Sequence, residues 1–117
     1  KQISVFNNGN HQRDFTYVKD VTNSIVKIIT KYPKKNIPYN ILNIGSNNPI
    51  RLKYFIKIIE NYIGKKAKYK YLGLQKGDIN KTHANNFKLM KLIKSYPKTS
   101  VNKGVKNFID WYNQYFK

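Results

Sequence analysis

The ionisable residues that could do chemistry in this chain are few apart from lysine: Asp14, Asp20, Glu60, Asp78 and Asp110, the histidines His11 and His83, and the arginines Arg13 and Arg51. No two acids stand at a spacing that brings their carboxylates together for acid–base work, and neither histidine has metal-ligand spacing around it. Both histidines read as surface or hydrogen-bonding residues. No Gly-x-Gly-x-x-Gly is present to hold a dinucleotide pyrophosphate, and no Walker loop; Asn43-Ile44-Gly45-Ser46 reads as a tight turn after a strand. Tyr62 and Lys66 match a Tyr-x-x-x-Lys pair, in which an ammonium four residues on lowers a phenol pKa. Gly64 falls between them, where a helix should stop, so the two side chains lose the common face that this chemistry needs. The expectation is a chain with no catalytic residue, no cofactor ligand and no metal ligand.

Two loops could grip a phosphorylated ligand. Arg13-Asp14-Phe15 lies at the mouth of a strand, where a guanidinium can donate a forked pair of hydrogen bonds to phosphate oxygens, which lysine cannot do. An exposed arginine or a local ion pair with Asp14 explains the same residues. In Gln75-Lys76-Gly77-Asp78, Gly77 lets the backbone approach a ligand and Asp78 could accept bonds from two neighbouring hydroxyls, as on a ribose. An ordinary turn explains it equally well.

The elements that must position these loops follow from periodicity. Ile3-Ser4-Val5-Phe6 alternates as a strand, and the chain is expected to begin inside an element, truncated at Lys1. Phe15-Thr16-Tyr17-Val18 is a second strand candidate, and Asp20 then caps a helix with Val21, Ile25, Ile28 and Ile29 at spacings of three and four. Pro33 and Pro38 bracket its exit loop. Tyr39 to Ile44 reads as a buried strand ended by Gly45, and Pro49 opens a helix with Leu52, Phe55, Ile56, Ile59 and Ile63 on its apolar face. Gly64 suits the left-handed cap, Ala67 to Leu72 alternates as a strand, and Leu74 to Asp78 is a loop. A shorter helix spans Phe87 to Lys94, before Pro97. Ser100 caps a last helix running to Lys117, its face marked by Val101, Val105, Phe108, Ile109, Tyr112 and Phe116, and this end reads as natural. The order β, β, α, β, α, β, α, α is mixed α/β in one domain.

Composition sets the outer limits. The formal charge is +18, from 23 Lys and Arg against 5 acids, a balance that suggests a polyanion partner. The lysines are spread along the chain with no basic block, and their company of Asn, Ile and Tyr points to an AT-rich genome with charge as a by-product. Cysteine is absent, which removes disulfides and fits a cytoplasmic location. No stretch is long and apolar enough to be a membrane span or a signal peptide. A basic nucleic-acid-binding module, with Tyr and Phe as stacking platforms, is an alternative; the aromatics fall on expected apolar faces, which favours a core role.

The run Val5-Phe6-Asn7-Asn8-Gly9-Asn10-His11-Gln12-Arg13-Asp14-Phe15-Thr16-Tyr17-Val18-Lys19-Asp20 resembles the motif of the UDP-glucuronate 4-epimerase group within the extended short-chain dehydrogenase/reductase, or NAD-dependent epimerase/dehydratase, family. The strand ending in Asn-Ile-Gly, the Pro-initiated helix, the Gly77-Asp78 loop and a last helix carrying Trp111-Tyr112 follow in the family's order. The resemblance covers all 117 residues, roughly the last third of a full enzyme. It implies an α/β C-terminal substrate-binding portion, residues 1–117, of a Rossmann-fold enzyme whose NAD-binding Rossmann half, with its Tyr-x-x-x-Lys pair, is absent. Tyr39 to Ile44 would join the sheet of that half and alone be an orphan strand, and the surface facing that half would be an exposed apolar patch.

By resemblance, Arg13 contacts the diphosphate of a UDP-sugar, Asp78 holds the uridine ribose, and the backbone of Ser4 and Phe6 meets the uracil. Gln75 stands where galactose-type relatives have a second phosphate-binding arginine, and Thr82 where they have a bulkier residue near the sugar. Lys19 replaces a usual acid and His83 an aromatic. The implied reaction is inversion at C4 of UDP-glucuronate to UDP-galacturonate, for surface polysaccharide precursors, by a full-length homodimer using NAD. The chain alone is expected to be inactive. Other reactions on the same scaffold, those of nucleotide-sugar dehydratases, decarboxylases and reductases, are the alternatives within the family.

Overall fold

The computed structural model describes residues 2–31 and 39–116. The bracketing role expected for Pro33 and Pro38, and the helix end expected at Lys117, lie outside the described residues. In chain order the elements are β1 (Gln2–Val5), β2 (Gln12–Arg13), α1 (Val18–Ile29), β3 (Ile50–Arg51), α2 (Leu52–Ile63), β4 (Lys68–Tyr71), α3 (Phe87–Ile93) and α4 (Val101–Tyr115). The order of types matches the sequence reading, yet two of the strands are built from other residues.

Phe15 to Val18 is not a strand. The ladder stops at Arg13, which faces Ile50 in an antiparallel pair with Gln12 facing Arg51, and α1 begins at Val18 with Tyr17 as the residue before its first turn. Asp20 therefore lies inside α1. Its carboxylate turns away from its own helix to accept the N–H groups of Lys98 and Thr99 at 3.0 and 2.8 Å and the Thr99 hydroxyl at 2.9 Å. It ties α1 to the segment leading into α4. Tyr39 to Ile44, expected as a strand buried in the sheet of the absent half and an orphan in this chain alone, makes no ladder, and Tyr39 and Ile41 are 64 % and 74 % exposed. A strand exists only through a hydrogen-bonded neighbour, and among the described residues none runs beside this segment. Pro49 likewise precedes β3, and α2 starts only at Leu52 after Arg51.

The helix ends follow their local chemistry. Gly64 closes α2 at φ +71 and gives its N–H to the Glu60 carbonyl at 2.9 Å, the left-handed stop that glycine enters without a Cβ penalty. Ser100 caps α4, its hydroxyl accepting the Lys103 N–H at 3.3 Å.

β1 runs parallel to β4 in a register that sets Gln2 opposite Lys68 and Val5 opposite Tyr71. The main core lies between α2 and α4, where Ile58, Val105 and Ile109 are buried with Phe55, Ile59 and Val101 packed against them. Ile63, expected on the buried face of α2, is exposed, and Ile58 takes the deepest place instead. Phe15 stacks on Phe55 with ring centroids 3.9 Å apart. At Gly104 α4 lies against the Tyr17 ring at the start of α1, where an added Cβ would make an ordinary contact at 3.4 Å. Among the described residues no helix is long and apolar enough to cross a membrane.

The aromatics do not fill this core as the sequence suggested. Tyr54, Tyr62, Tyr71, Phe87, Phe108 and Trp111 are all exposed. A helical face marks where apolar residues can be buried, and burial also needs a partner surface.

Candidate functional site

Residues 2–13 and 68–82 lie along one another as a continuous seam. After the β1–β4 ladder, the Asn7 and Asn8 N–H groups donate to the carbonyls of Gly73 and Leu72 at 3.2 and 3.1 Å. Asn7, Asn8 and Gly9 all have positive φ, at 48, 48 and 74°, a left-handed run that Asn and Gly tolerate best. The run redirects the chain from β1 to β2. The Asn7 amide then donates to Asn80 Oδ1 at 3.2 Å. Gln12 gives its N–H to the Asn80 carbonyl at 2.9 Å and accepts the Thr82 N–H at 3.1 Å.

On this seam Arg13 meets Asp78 across 65 residues of sequence: Nη2 donates to Asp78 Oδ1 at 2.9 Å, and each side chain is 29 % exposed. Asp78 is aimed by the turn before it, in which its N–H donates to the Gln75 carbonyl at 3.1 Å and Gly77 takes φ +84. Arg13 Nη1 is held by its neighbour, donating to the Gln12 carbonyl at 3.0 Å. The local ion pair with Asp14 is not formed. Of the other expected site residues, Ser4 faces Lys70 across the ladder and half-buried Phe6 directly follows β1. Thr82 is engaged rather than free, its hydroxyl accepting the Asp14 N–H at 3.1 Å. All six expected residues, Ser4, Phe6, Arg13, Gln75, Asp78 and Thr82, lie on the two sides of the seam.

Asp14, which sequence reasoning treated only as a neighbour of Arg13, is the hub behind the site. Its carboxylate accepts from the Ser46 hydroxyl at 2.5 Å and from the N–H groups of Asn47, Asn48 and Ala84 at 3.1, 3.3 and 2.8 Å. Burial raises its pKa, but the bonds from Ser46, Ala84, Asn48 and Asn47 together outweigh burial and hold it below the usual carboxylate value. Segments 13–15, 46–48 and 82–84 are thereby fastened at one point.

His11 was also missed. It is buried, and Nε2 stands 3.2 Å from Asp78 Oδ2 without a hydrogen-bond partner. The signal was present: His11 and Arg13 are two residues apart, the spacing that puts side chains on one face of an extended segment. His83 lies in the open, with Nε2 2.5 Å from Asn47 Oδ1.

The turn at Gly45 does not fit a dinucleotide. Asn86 spans it, accepting the Gly45 N–H at 3.3 Å and donating to the Gly45 carbonyl at 2.5 Å. A Cβ on Gly45 would stand 2.3 Å from the Ala84 Cβ. The glycine serves close packing, and its N–H is already used, so no pyrophosphate cradle is left there. The Tyr62–Lys66 pair is broken as expected, because α2 ends between them. Lys66 instead donates to buried Glu60 at 3.1 Å; Glu60 also accepts the Ala67 N–H at 2.9 Å and the Tyr69 hydroxyl.

Residues 1–45 match the NAD dependent epimerase/dehydratase family. Over 112 residues the chain is 44% identical to an uncharacterised protein of Methanocaldococcus jannaschii, covering 96% of this chain and 33% of that protein. It is 37% identical over 112 residues to the UDP-glucuronate 4-epimerase of Thermodesulfobacterium geofontis, with 95% and 33% covered. Among solved structures it is similar to the UDP-glucuronic acid 4-epimerase of Bacillus cereus in complex with UDP-glucuronic acid and NAD: the TM-score is 0.84 at 29% identity, over 98% of this chain and 36% of that one. The chain thus spans about a third of the length of the relatives it matches. With sequence and backbone course shared along almost all of its residues, this mixed α/β chain belongs to the NAD-dependent epimerase/dehydratase family.

Proposed function

We propose that residues 1–117 are the C-terminal, substrate-binding portion of an NAD-dependent nucleotide-sugar 4-epimerase that inverts C4 of UDP-glucuronate to give UDP-galacturonate. The observation that carries the reading is the meeting of Arg13 and Asp78 on a seam that also holds Ser4 and Phe6. A nucleoside diphosphate needs a forked donor for its phosphates and an acceptor for two ribose hydroxyls, and these two side chains supply both from facing strands of chain. β1 pairs with β4 on one edge, so its other edge, unpaired among the described residues, can offer backbone groups to the uracil at Ser4 and Phe6. Thr82 and Gln75 flank the sugar and phosphate ends.

In this reading Arg13 leaves Asp78 for the diphosphate, and the chain grips the nucleotide while the sugar reacts. The residues present do not fit NAD, and no redox or proton-transfer step is assigned to them. Those steps belong to other residues of the longer protein. Titration of the full-length protein with UDP and UDP-glucuronate tests the reading. Binding that falls about tenfold in Arg13→Lys, the loss of one forked interaction, supports it. Absence of UDP binding, or epimerisation by residues 1–117 alone with added NAD, overturns it.

A second reading, a nucleic-acid-binding module, draws on the exposed aromatics and on Lys19, Lys57, Lys70, Lys88 and Lys106, exposed on five different elements. Steeply salt-dependent affinity for RNA or DNA with no response to UDP is its signature.

A further inference from the structure

We infer that His11 is a positioning residue for Asp78: it takes hold of the carboxylate when Arg13 turns from Asp78 to a ligand diphosphate. The inference rests on the nucleotide-sugar reading above and adds a residue to it. Arg13 has two demands on one guanidinium. In this structure its Nη2 is committed to Asp78 Oδ1, while Nη1 is committed to the Gln12 carbonyl. A diphosphate competes for the same fork, and an anion arriving beside Asp78 would otherwise leave a carboxylate with no cation or donor to fix its plane.

His11 stands where that loss can be made good. Its Nε2 is 3.2 Å from Asp78 Oδ2, the oxygen that Arg13 does not use. The His11 side chain is 4 % exposed and Nε2 has no hydrogen-bond partner. A buried ring nitrogen at hydrogen-bond distance from a carboxylate, but out of alignment with it, is a donor awaiting a small rotation. The ring is anchored for this from its backbone, where the His11 carbonyl accepts the Leu52 N–H at 2.8 Å and fixes the segment against the start of α2. Asp78 can rotate about its side chain because Gly77 and the Gln75 turn hold only its backbone. With Oδ2 bound to His11, the remaining lone pairs of the carboxylate face outward, toward the two hydroxyls it is to accept.

The test uses the full-length protein. His11→Phe keeps a flat ring and removes the donor; His11→Gln restores a donor near Nε2. The expected results are a fivefold or greater rise in the Kd for UDP in His11→Phe with the Kd for NAD unchanged, recovery to within twofold of wild type in His11→Gln, and no further loss when His11→Phe is added to Asp78→Asn. In the wild-type protein, the ¹⁵N resonance of His11 Nε2 is expected to shift on addition of UDP. Should His11→Phe fail to fold, that resonance decides alone. Unchanged UDP affinity in a folded His11→Phe, additive losses with Asp78→Asn, or a resonance that UDP leaves in place overturns the role of His11. Failure of the wild type to bind UDP at all is a different result: it overturns the nucleotide-sugar reading and this assignment with it.

Discussion

Arg13, Asp78 and Asp14 divide the labour of the site. Arg13 and Asp78 are partly exposed and joined to each other by one hydrogen bond, whereas the Asp14 carboxylate accepts four and cannot move without releasing segments 46–48 and 82–84 from its own. Asp14→Ala strands those donors and is expected to destabilise the fold by about 1–3 kcal/mol, the cost of orphaning donors that had an ionised acceptor. A fall in the urea midpoint at unchanged slope measures it. Its carboxyl is held below the usual value, so the stability it supplies is present above the ordinary carboxylate pKa and fades as pH falls through the lowered one. Arg13 and Asp78 could be picked out in the sequence because their types are rare among so many lysines and their neighbours are turn formers. Asp14 could not, because a hub is defined by what lies opposite it; for His11 the spacing to Arg13 marked a shared face, while its burial against Asp78 is set by the fold.

At the scale of the element, the joint between α2 and β4 turns on Glu60. It accepts the Tyr69 hydroxyl, the Ala67 N–H and the Lys66 ammonium, and these bonds, the Tyr69 bond foremost, hold its pKa down from 4.5 to about 2. A lowered folded-state pKa gives stability that is complete above the unfolded value and is lost as pH falls through the folded one. Thermal stability is therefore expected to drop between pH 4.5 and about 2, and Glu60→Gln should flatten that part of the Tm–pH curve. The same bond pushes the Tyr69 hydroxyl up from 10.0 to about 12, so its share is present below pH 10.0 and fades as pH rises toward 12. The helices α3 and α4 were legible within a residue or two, and Gly64 and Ser100 ended and capped their helices as read. The strand at Phe15 to Val18 was not: β-rich residues can lie in any extended stretch, and only a paired neighbour makes a strand of it. Tyr39 to Ile44, read as an orphan in this chain alone, has no ladder.

As a whole molecule the chain is a slab of 54 × 38 × 19 Å with a radius of gyration of 17.4 Å, against about 13 Å for a compact domain of this length. Its core between α2 and α4 is small, and large apolar side chains stay in the open: Val18, Ile25, Val26 and Ile29 on α1, and Phe108, Trp111, Tyr112 and Tyr115 on α4. Patches of this kind drive association. Residues 1–117 in isolation are expected to sediment as concentration-dependent oligomers and to bind a hydrophobic dye. A monomer that unfolds in one cooperative step would contradict this. The sequence by itself determined the mixed α/β order, the helix stops, the lack of a Gly-x-Gly-x-x-Gly motif and the two loops, at Arg13 and Asp78, on which the proposed ligand contacts rest, because each depends on residue type and spacing along a few turns of chain. Only the tertiary structure decided which residues pair as strands, that Arg13 and Asp78 face one another, that Asp14 fastens the loops and that His11 lies behind Asp78. Those contacts join positions some 30 to 70 apart in sequence, and such pairings are set by packing rather than by any local preference of the residues that make them.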